Sequence, residues 1–241
     1  MRFTTQIQVR SYEIGADGFL HHAHLARYAL HAGNLVTQAL GIDAAWYEAH
    51  GTFFVVRGLR VVFESGARDE ETLNIETWLS AARRVRGCRE VVITSARDGR
   101  RIAGVQLDWV YVDRATLGPA RMPAEMVDRL QPEAELACPQ AWQAGAPVDQ
   151  PHAHRRVVEY RELDILRHVN TAVYLEWCEE AWRQATGRAP TAIRGHQLEF
   201  LRSAVLGDVI TILTQPTSTG VWHQEIQRAG QTLATNLCWA D

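Results

Sequence analysis

The chain has 241 residues, of which 46% are hydrophobic and 22% are charged, and its formal net charge is −3 at pH 7. These values are typical of a globular protein with one large domain or two small ones. The slight negative charge argues against a nucleic-acid partner, and the absence of lysine excludes Schiff-base chemistry and a lysine general base.

The N-terminus carries no apolar signal segment, and no uninterrupted apolar run is long enough to span a bilayer. We therefore expect a cytoplasmic protein without a membrane partner. The four cysteines lie far apart in the sequence and show no paired spacing. We expect them to be reduced and to bind no metal, with Cys178 in the core.

The first half predicts a strand, a long helix and four further strands. The first strand covers residues 4–12, and the helix covers residues 20–40, where small apolar side chains recur at helical spacing. The later strands are predicted at residues 52–64, 71–83, 86–96 and 100–113.

A short helix, residues 123–130, precedes a stretch that carries four prolines. Proline at this density is typical of a connection that lies over a surface. The sequence therefore predicts a linker over residues 131–153, between an N-terminal domain at residues 1–130 and a C-terminal domain at residues 154–241.

The second half repeats this order. A strand at residues 154–162 precedes a helix at residues 171–186, and strands follow at residues 194–203, 208–216, 220–228 and 231–240. One strand, a long helix and four antiparallel strands, present twice, predict an α+β protein. The predicted fold is two tandem hotdog domains, each an antiparallel sheet wrapped around a long central helix.

A pair of polar side chains recurs before each long helix. Asp17 lies four residues before His21, and Asp164 lies four residues before His168. A repeat that brings a carboxylate and an imidazole to the start of a helix in both halves indicates a fold duplicated around a reactive site.

Residues 9–17 and 164–177 resemble the two signature motifs of acyl-(acyl-carrier-protein) thioesterases, which are double-hotdog enzymes. Residues 54–62 and 106–112 are similar to strands of the same family, so the resemblance covers most of the chain. It implies hydrolysis of an acyl thioester carried by acyl carrier protein, without a dissociable cofactor.

The resemblance also implies catalytic roles for Asp164 and His168, with Asn170 at the helix entrance. The chain departs from the family at Leu166, where the family has an asparagine, and at Ser203, where it has a glutamate or a cysteine.

The first half departs differently, because it carries His21, His22 and His24 where the family normally has no histidine. Asp17 and His21 are therefore a second candidate site. His24 and His31 share a helix face, but nothing else in the pattern requires a metal, and no metal is predicted.

Thioester hydrolysis needs an attacking group and a stabiliser for the charge that develops on the carbonyl oxygen. Unpaired N–H groups at a helix N-terminus can supply the second, near Asn170 and Thr171 or near His21 and His22. Asp164 could act as a general base or as a nucleophile. His168 could orient that carboxylate, bind the carbonyl or protonate the departing thiolate. The structural alternative for Asp164 is a helix-capping residue.

Arginines are dense around the predicted hairpin of the third and fourth strands. Arg84 and Arg86 are predicted to bind an acidic carrier protein or the phosphates of pantetheine or coenzyme A. The remaining members are Arg83, Arg89, Arg97, Arg100 and Arg101. The alternative is a charged, solvated strand edge.

The sequence thus predicts a thioesterase that acts most readily on acyl-acyl-carrier-protein. Three alternatives stay open: an acyl-coenzyme A thioesterase, a hotdog dehydratase or hydratase, and an acyl-binding module without catalysis. Single hotdog domains pair by dimerising, and a tandem hotdog forms this pair within one chain. The sequence therefore leaves two oligomeric states open, a monomer and a homodimer.

Overall fold

Two units, Met1–Pro139 and Gln140–Asp241, make up the computed structural model, which describes residues 1–138 and 141–241. In the described part of the chain, no helix is both long enough and apolar enough to cross a membrane.

The first unit is an antiparallel sheet against a central helix. Its strands are β1 (Phe3–Gln8), β2 (Thr52–Phe63), β3 (Thr72–Arg83), β4 (Arg86–Ser95) and β5 (Arg101–Asp113), in the order β1-β3-β4-β5-β2. Its helices are α1 (His22–Ala39), α2 (Ala44–His50) and α3 (Ala124–Leu130). The buried face of α1 consists largely of alanine and Gly33, so the sheet can approach the helix backbone closely.

The second unit repeats this topology. It contains β6 (His152–Val157), α4 (Val173–Thr186), β7 (Ile193–Phe200), β8 (Val209–Pro216), β9 (Trp222–Arg228) and β10 (Gln231–Ala240). The strand order β6-β8-β9-β10-β7 is that of the first unit, strand for strand. The predicted internal repeat is therefore present at the level of strand order and central helix.

The structure differs from the sequence prediction in three elements. Helix α2 was not predicted; Asp43 caps it by accepting from the Trp46 N–H at 2.9 Å, and Gly51 ends it in the left-handed region at φ 60°. The predicted first strand of each half is also shorter, because a 3-10 turn replaces its last residues (Ser11–Glu13 and Tyr160–Glu162).

Residues 131–138, which the sequence placed in the linker, pack on the outer face of the first sheet. The Glu133 N–H donates to the Leu79 carbonyl at 2.7 Å, and the Ala137 N–H donates to the buried carboxylate of Glu90 at 2.9 Å. Gly104 allows this contact, since a Cβ there would lie 2.6 Å from the Ala137 carbonyl oxygen. The segment therefore covers the sheet of the first unit.

Candidate active site

The loop before α4 is closed by backbone hydrogen bonds. Leu163 and Val169 form an isolated β-bridge, and the Asp164 N–H donates to the His168 carbonyl at 2.8 Å. Arg167 makes the reversal in the left-handed region, at φ 62°. The loop thus holds Asp164 and His168, both half-buried, directly before α4.

The carboxylate of Asp164 uses one oxygen within this loop. Its Oδ1 accepts from the Leu166 N–H at 2.8 Å and from the His168 N–H at 3.4 Å. No described residue donates a hydrogen bond to Oδ2. Asp164 therefore stabilises the turn through Oδ1 and leaves Oδ2 for water or a substrate.

Asn170, and not Asp164, satisfies the first N–H groups at the start of α4. Its Oδ1 accepts from the Ala172 N–H at 3.0 Å, and its carbonyl accepts from the Val173 N–H at 2.9 Å. The N–H of Thr171, which lies between Asn170 and Ala172 in sequence, has no acceptor within residues 1–138 and 141–241. The helix entrance thus presents one backbone donor close to the loop that carries Asp164.

Hydrogen bonds to a buried glutamate, Glu162, stabilise the loop. Glu162 accepts from Arg156, from the Trp177 indole N–H at 3.0 Å and from the Glu159 N–H at 2.8 Å. Its carbonyl accepts from the Asn170 N–H at 2.9 Å. Sequence analysis missed this residue, although in both halves a glutamate (Glu13 or Glu162) lies 15 residues before the aromatic side chain that binds it, Tyr28 or Trp177.

Glu13 is the counterpart in the first unit. It accepts from the Tyr28 hydroxyl, from the Arg10 guanidinium at 3.0 Å and from the Arg10 N–H at 2.9 Å. Burial acts to raise the pKa of Glu13, but these hydrogen bonds and nearby His24 outweigh it and lower that pKa below its usual value. Burial and the bond to Glu13 raise the pKa of Tyr28.

The loop of the first unit has the same backbone but different chemistry. Ile14 and Leu20 form its bridge, the Gly15 N–H donates to the Phe19 carbonyl at 2.8 Å, and the His21 N–H donates to the Glu13 carbonyl at 3.0 Å. These bonds match those of the second unit and pair the two loops residue by residue. Gly15 corresponds to Asp164, Phe19 to His168 and His21 to Asn170.

The sequence alignment of Asp17 with Asp164 and of His21 with His168 is therefore wrong by two residues. Asp17 instead accepts from the Phe19 N–H at 3.0 Å. The side chains of Asp17 and His21 nevertheless both lie close to Gly15. A Cβ at Gly15 would be 3.0 Å from the Asp17 Oδ1 and 2.9 Å from the His21 Cε1.

His22 and His24 of the first unit are engaged in packing and polar contacts. His22 stacks on Phe63, with ring centroids 3.7 Å apart, and the His24 Nδ1 lies 3.7 Å from a carboxylate oxygen of Glu13. Within the described residues, no group of three or more His, Cys, Asp or Glu side chains could hold a metal ion.

The arginine-dense region divides into three parts. Arg84 and Arg86 are exposed at the β3–β4 turn. Arg97 and Arg100 lie at the opposite end of β4, where Arg100 pairs with Glu71 at 2.9 Å. Arg89 is buried, so the arginines of this region do not share one surface.

The four cysteines are free, and Cys138, Cys178 and Cys238 are buried, as expected for Cys178. Burial raises the pKa of the Cys178 thiol. A thiol with a raised pKa is a weak nucleophile at neutral pH.

Comparison with known proteins matches both units to one family. Its N-terminal family model, Acyl-ACP thioesterase N-terminal domain, matches residues 1–130, and its C-terminal model, Acyl-ACP thioesterase C-terminal domain, matches residues 145–236. A chloroplastic palmitoyl-acyl carrier protein thioesterase of Gossypium hirsutum is 22% identical over 91% of this chain. The chain spans 57% of the length of that relative.

Solved structures agree in fold over the whole chain. An acyl-ACP thioesterase from Bacteroides thetaiotaomicron superposes with a TM-score of 0.87 at 18% identity, covering 100% of this chain and 98% of that one. The 12:0-ACP thioesterase from Umbellularia californica gives 0.83 at 16% identity, covering 100% and 97%. The predicted α+β fold of two hotdogs is confirmed.

Proposed function

Because this chain belongs to the acyl-ACP thioesterase family, we propose that it hydrolyses an acyl thioester of acyl carrier protein to a free fatty acid and the carrier thiol. The observation that carries the proposal is the Asp164 Oδ2, which has no donor among the described residues and lies in the loop next to the Thr171 N–H.

The proposed chemistry uses groups of the second unit. Asp164 removes a proton from a water molecule, which attacks the thioester carbonyl carbon. The Thr171 N–H stabilises the negative oxygen of the tetrahedral intermediate. The C–S bond then breaks, and His168 supplies the proton that the departing thiolate takes up. Direct attack by Asp164, with hydrolysis of the resulting anhydride, is the alternative route at the same residues.

The two departures from the family favour one rival function. Leu166 is half-exposed within the loop, and exposed Ser203 precedes Ala204, whose carbonyl accepts from the Val169 N–H at 3.0 Å. Leu166 therefore supplies no amide, and Ser203 supplies neither a carboxylate nor a thiol. A non-catalytic acyl-binding module is therefore the second candidate.

A thiol-release assay separates the candidates. We expect the full chain to release thiol from saturated acyl-acyl-carrier-protein, more slowly from the matching acyl-coenzyme A, and to leave a 3-hydroxyacyl group without dehydration. Equal or faster turnover of the coenzyme A ester would favour a coenzyme A thioesterase. Tight binding without thiol release would favour the binding module.

Arg84 and Arg86 are the proposed contacts for the acidic carrier. Both are exposed at one turn, so we expect charge reversal, Arg84→Glu with Arg86→Glu, to raise the apparent KM for acyl-acyl-carrier-protein about tenfold with little change in kcat. Rising salt should reduce the difference between the wild type and the variant. The matched control for the single variant Arg84→Glu is Arg97→Glu, which is 82% exposed at the other end of β4 and changes the net charge by the same amount. An equal effect of the control would assign the change to net charge alone.

A further inference from the structure

The second unit has an exposed apolar region around the loop that carries Asp164. Three segments contribute to it: the loop before α4, the connection between β7 and β8, and the paired ends of β6 and β8. Its aliphatic side chains are 36% to 98% exposed, and we call them the apolar surface: Val157, Ile165, Leu166, Val205, Leu206 and Val209.

Backbone contacts hold these three segments side by side. The Val169 N–H, at the end of the loop, donates to the Ala204 carbonyl in the β7–β8 connection at 3.0 Å. Val157 pairs with Val209 in the ladder of β6 and β8, where that connection ends. The apolar surface is therefore one region of the second unit, and the loop of Asp164 is part of it.

The first unit shows that the fold does not require apolar side chains at these positions. The same contacts recur there, because the Leu20 N–H donates to the Ala67 carbonyl at 2.9 Å and Gln8 pairs with Thr72. Together with the pairing of Gly15 and Asp164, they align the two units over all six positions. The corresponding residues of the first unit, in the same order, are Gln8, Ala16, Asp17, Arg68, Asp69 and Thr72. All but Ala16 are polar, so the apolar surface distinguishes the unit that carries Asp164.

The unpaired charges around the apolar surface are positive. Arg155, Arg167 and Arg202 are exposed, and none of them forms an ion pair within the described residues. A neighbouring carboxylate is already paired, since Asp208 binds Arg228 at 2.8 Å. The counterparts of the three arginines in the first unit are uncharged: Gln6, Gly18 and Ser65. An exposed apolar region with a basic rim is typical of a surface that binds an acidic partner.

We infer that the apolar surface and its arginines bind the acyl carrier protein, so that the carrier docks on the second unit around the loop of Asp164. This inference rests on the proposed function. A permanent partner would cover Asp164, whereas a carrier delivers its acyl group and leaves. An acidic carrier protein complements the arginines and brings side chains that can cover the aliphatic ones. Coenzyme A brings phosphates but no apolar protein surface.

The test measures binding of isotope-labelled holo-acyl carrier protein, which bears no acyl group, to the full chain by NMR titration. We expect Ile165→Ser with Leu206→Ser to raise the Kd for the carrier about tenfold, because two contacts at the centre of the interface are lost. Arg202→Glu should also raise the Kd, and rising salt should reduce this difference from the wild type.

The matched control replaces two aliphatic residues that are exposed elsewhere, Leu136→Ser with Val148→Ser, at positions 46% and 60% exposed. Its Kd should equal that of the wild type. All variants should keep the wild-type melting temperature, since each substitution lies at an exposed position.

An unchanged Kd in Ile165→Ser with Leu206→Ser would overturn the inference, as would an equal loss in the control. A loss confined to binding of anionic vesicles would assign the apolar surface to lipid, and a loss confined to self-association in sedimentation velocity would assign it to a second copy. Either result would overturn docking of the carrier.

Thiol release from acyl-coenzyme A involves no carrier and separates this inference from the proposed function. A chain that releases this thiol but does not bind the holo carrier through the apolar surface would contradict the inference alone. A chain that binds the carrier there but releases thiol from neither ester would contradict the proposed function alone.

Discussion

Replacing Asp164 with asparagine is expected to lower kcat for thiol release from acyl-acyl-carrier-protein by about 10²- to 10⁴-fold, the range for loss of a general base. The asparagine Oδ1 can still accept from the Leu166 and His168 N–H groups, which lie 2.8 and 3.4 Å from the aspartate oxygen. The loop should therefore keep its shape while the negative charge is lost. A steady-state assay together with the melting temperature measures both.

The control for this prediction is the corresponding pair in the first unit. Asp17→Asn and His21→Ala should each keep kcat within about tenfold of the wild type, which is less than the effect of losing a proton-transfer group. Neither residue occupies a position that corresponds to Asp164 or His168. If Asp164→Asn retained full activity while Asp17→Asn lost it, the reaction would belong to the first unit.

Replacing Glu13 with glutamine is expected to lower the free energy of unfolding by about 2 kcal/mol at pH 7. The carboxylate accepts from the Tyr28 hydroxyl and from the backbone and side chain of Arg10, and an amide can accept only part of this set. Urea unfolding, followed at the transition of the first unit, measures the difference.

The sign of the pH dependence follows from the lowered pKa of Glu13. The contribution of Glu13 to the free energy of unfolding is present above the pKa that this carboxyl has in the unfolded chain. It is lost as the pH falls through the lower pKa of Glu13 in the folded protein. The difference between the wild type and Glu13→Gln should therefore shrink below about pH 4. Glu48→Gln, at an exposed position on α2, is the control and should be neutral. A difference of equal size at pH 3.5 would show that the charge of Glu13 contributes nothing.

The repeat illustrates where sequence analysis succeeded and where it failed. Its strands and central helices were predicted because hydrophobic periodicity follows directly from one buried face. Helix α2 was missed because it has no buried residue on a regular stripe, and its main signals are the Asp43 cap and Gly51. The sequence analysis aligned the two loops on Asp and His because these residue types can act as general acids and bases. The backbone hydrogen bonds align Gly15 with Asp164 instead.

The amino-acid sequence by itself determined the fold class and the duplication, because periodicity and spacing are local properties of the chain. Its resemblance to one family implied the candidate residues Asp164, His168 and Asn170. Only the tertiary structure decided which atoms are available. It showed that Asp164 uses Oδ1 for its own loop, that Glu13 and Glu162 are buried supports, and that Arg89 lies in the interior. These properties depend on contacts between residues distant in sequence, as between Arg89, Thr77 and Gly33, and no pattern along the chain encodes them.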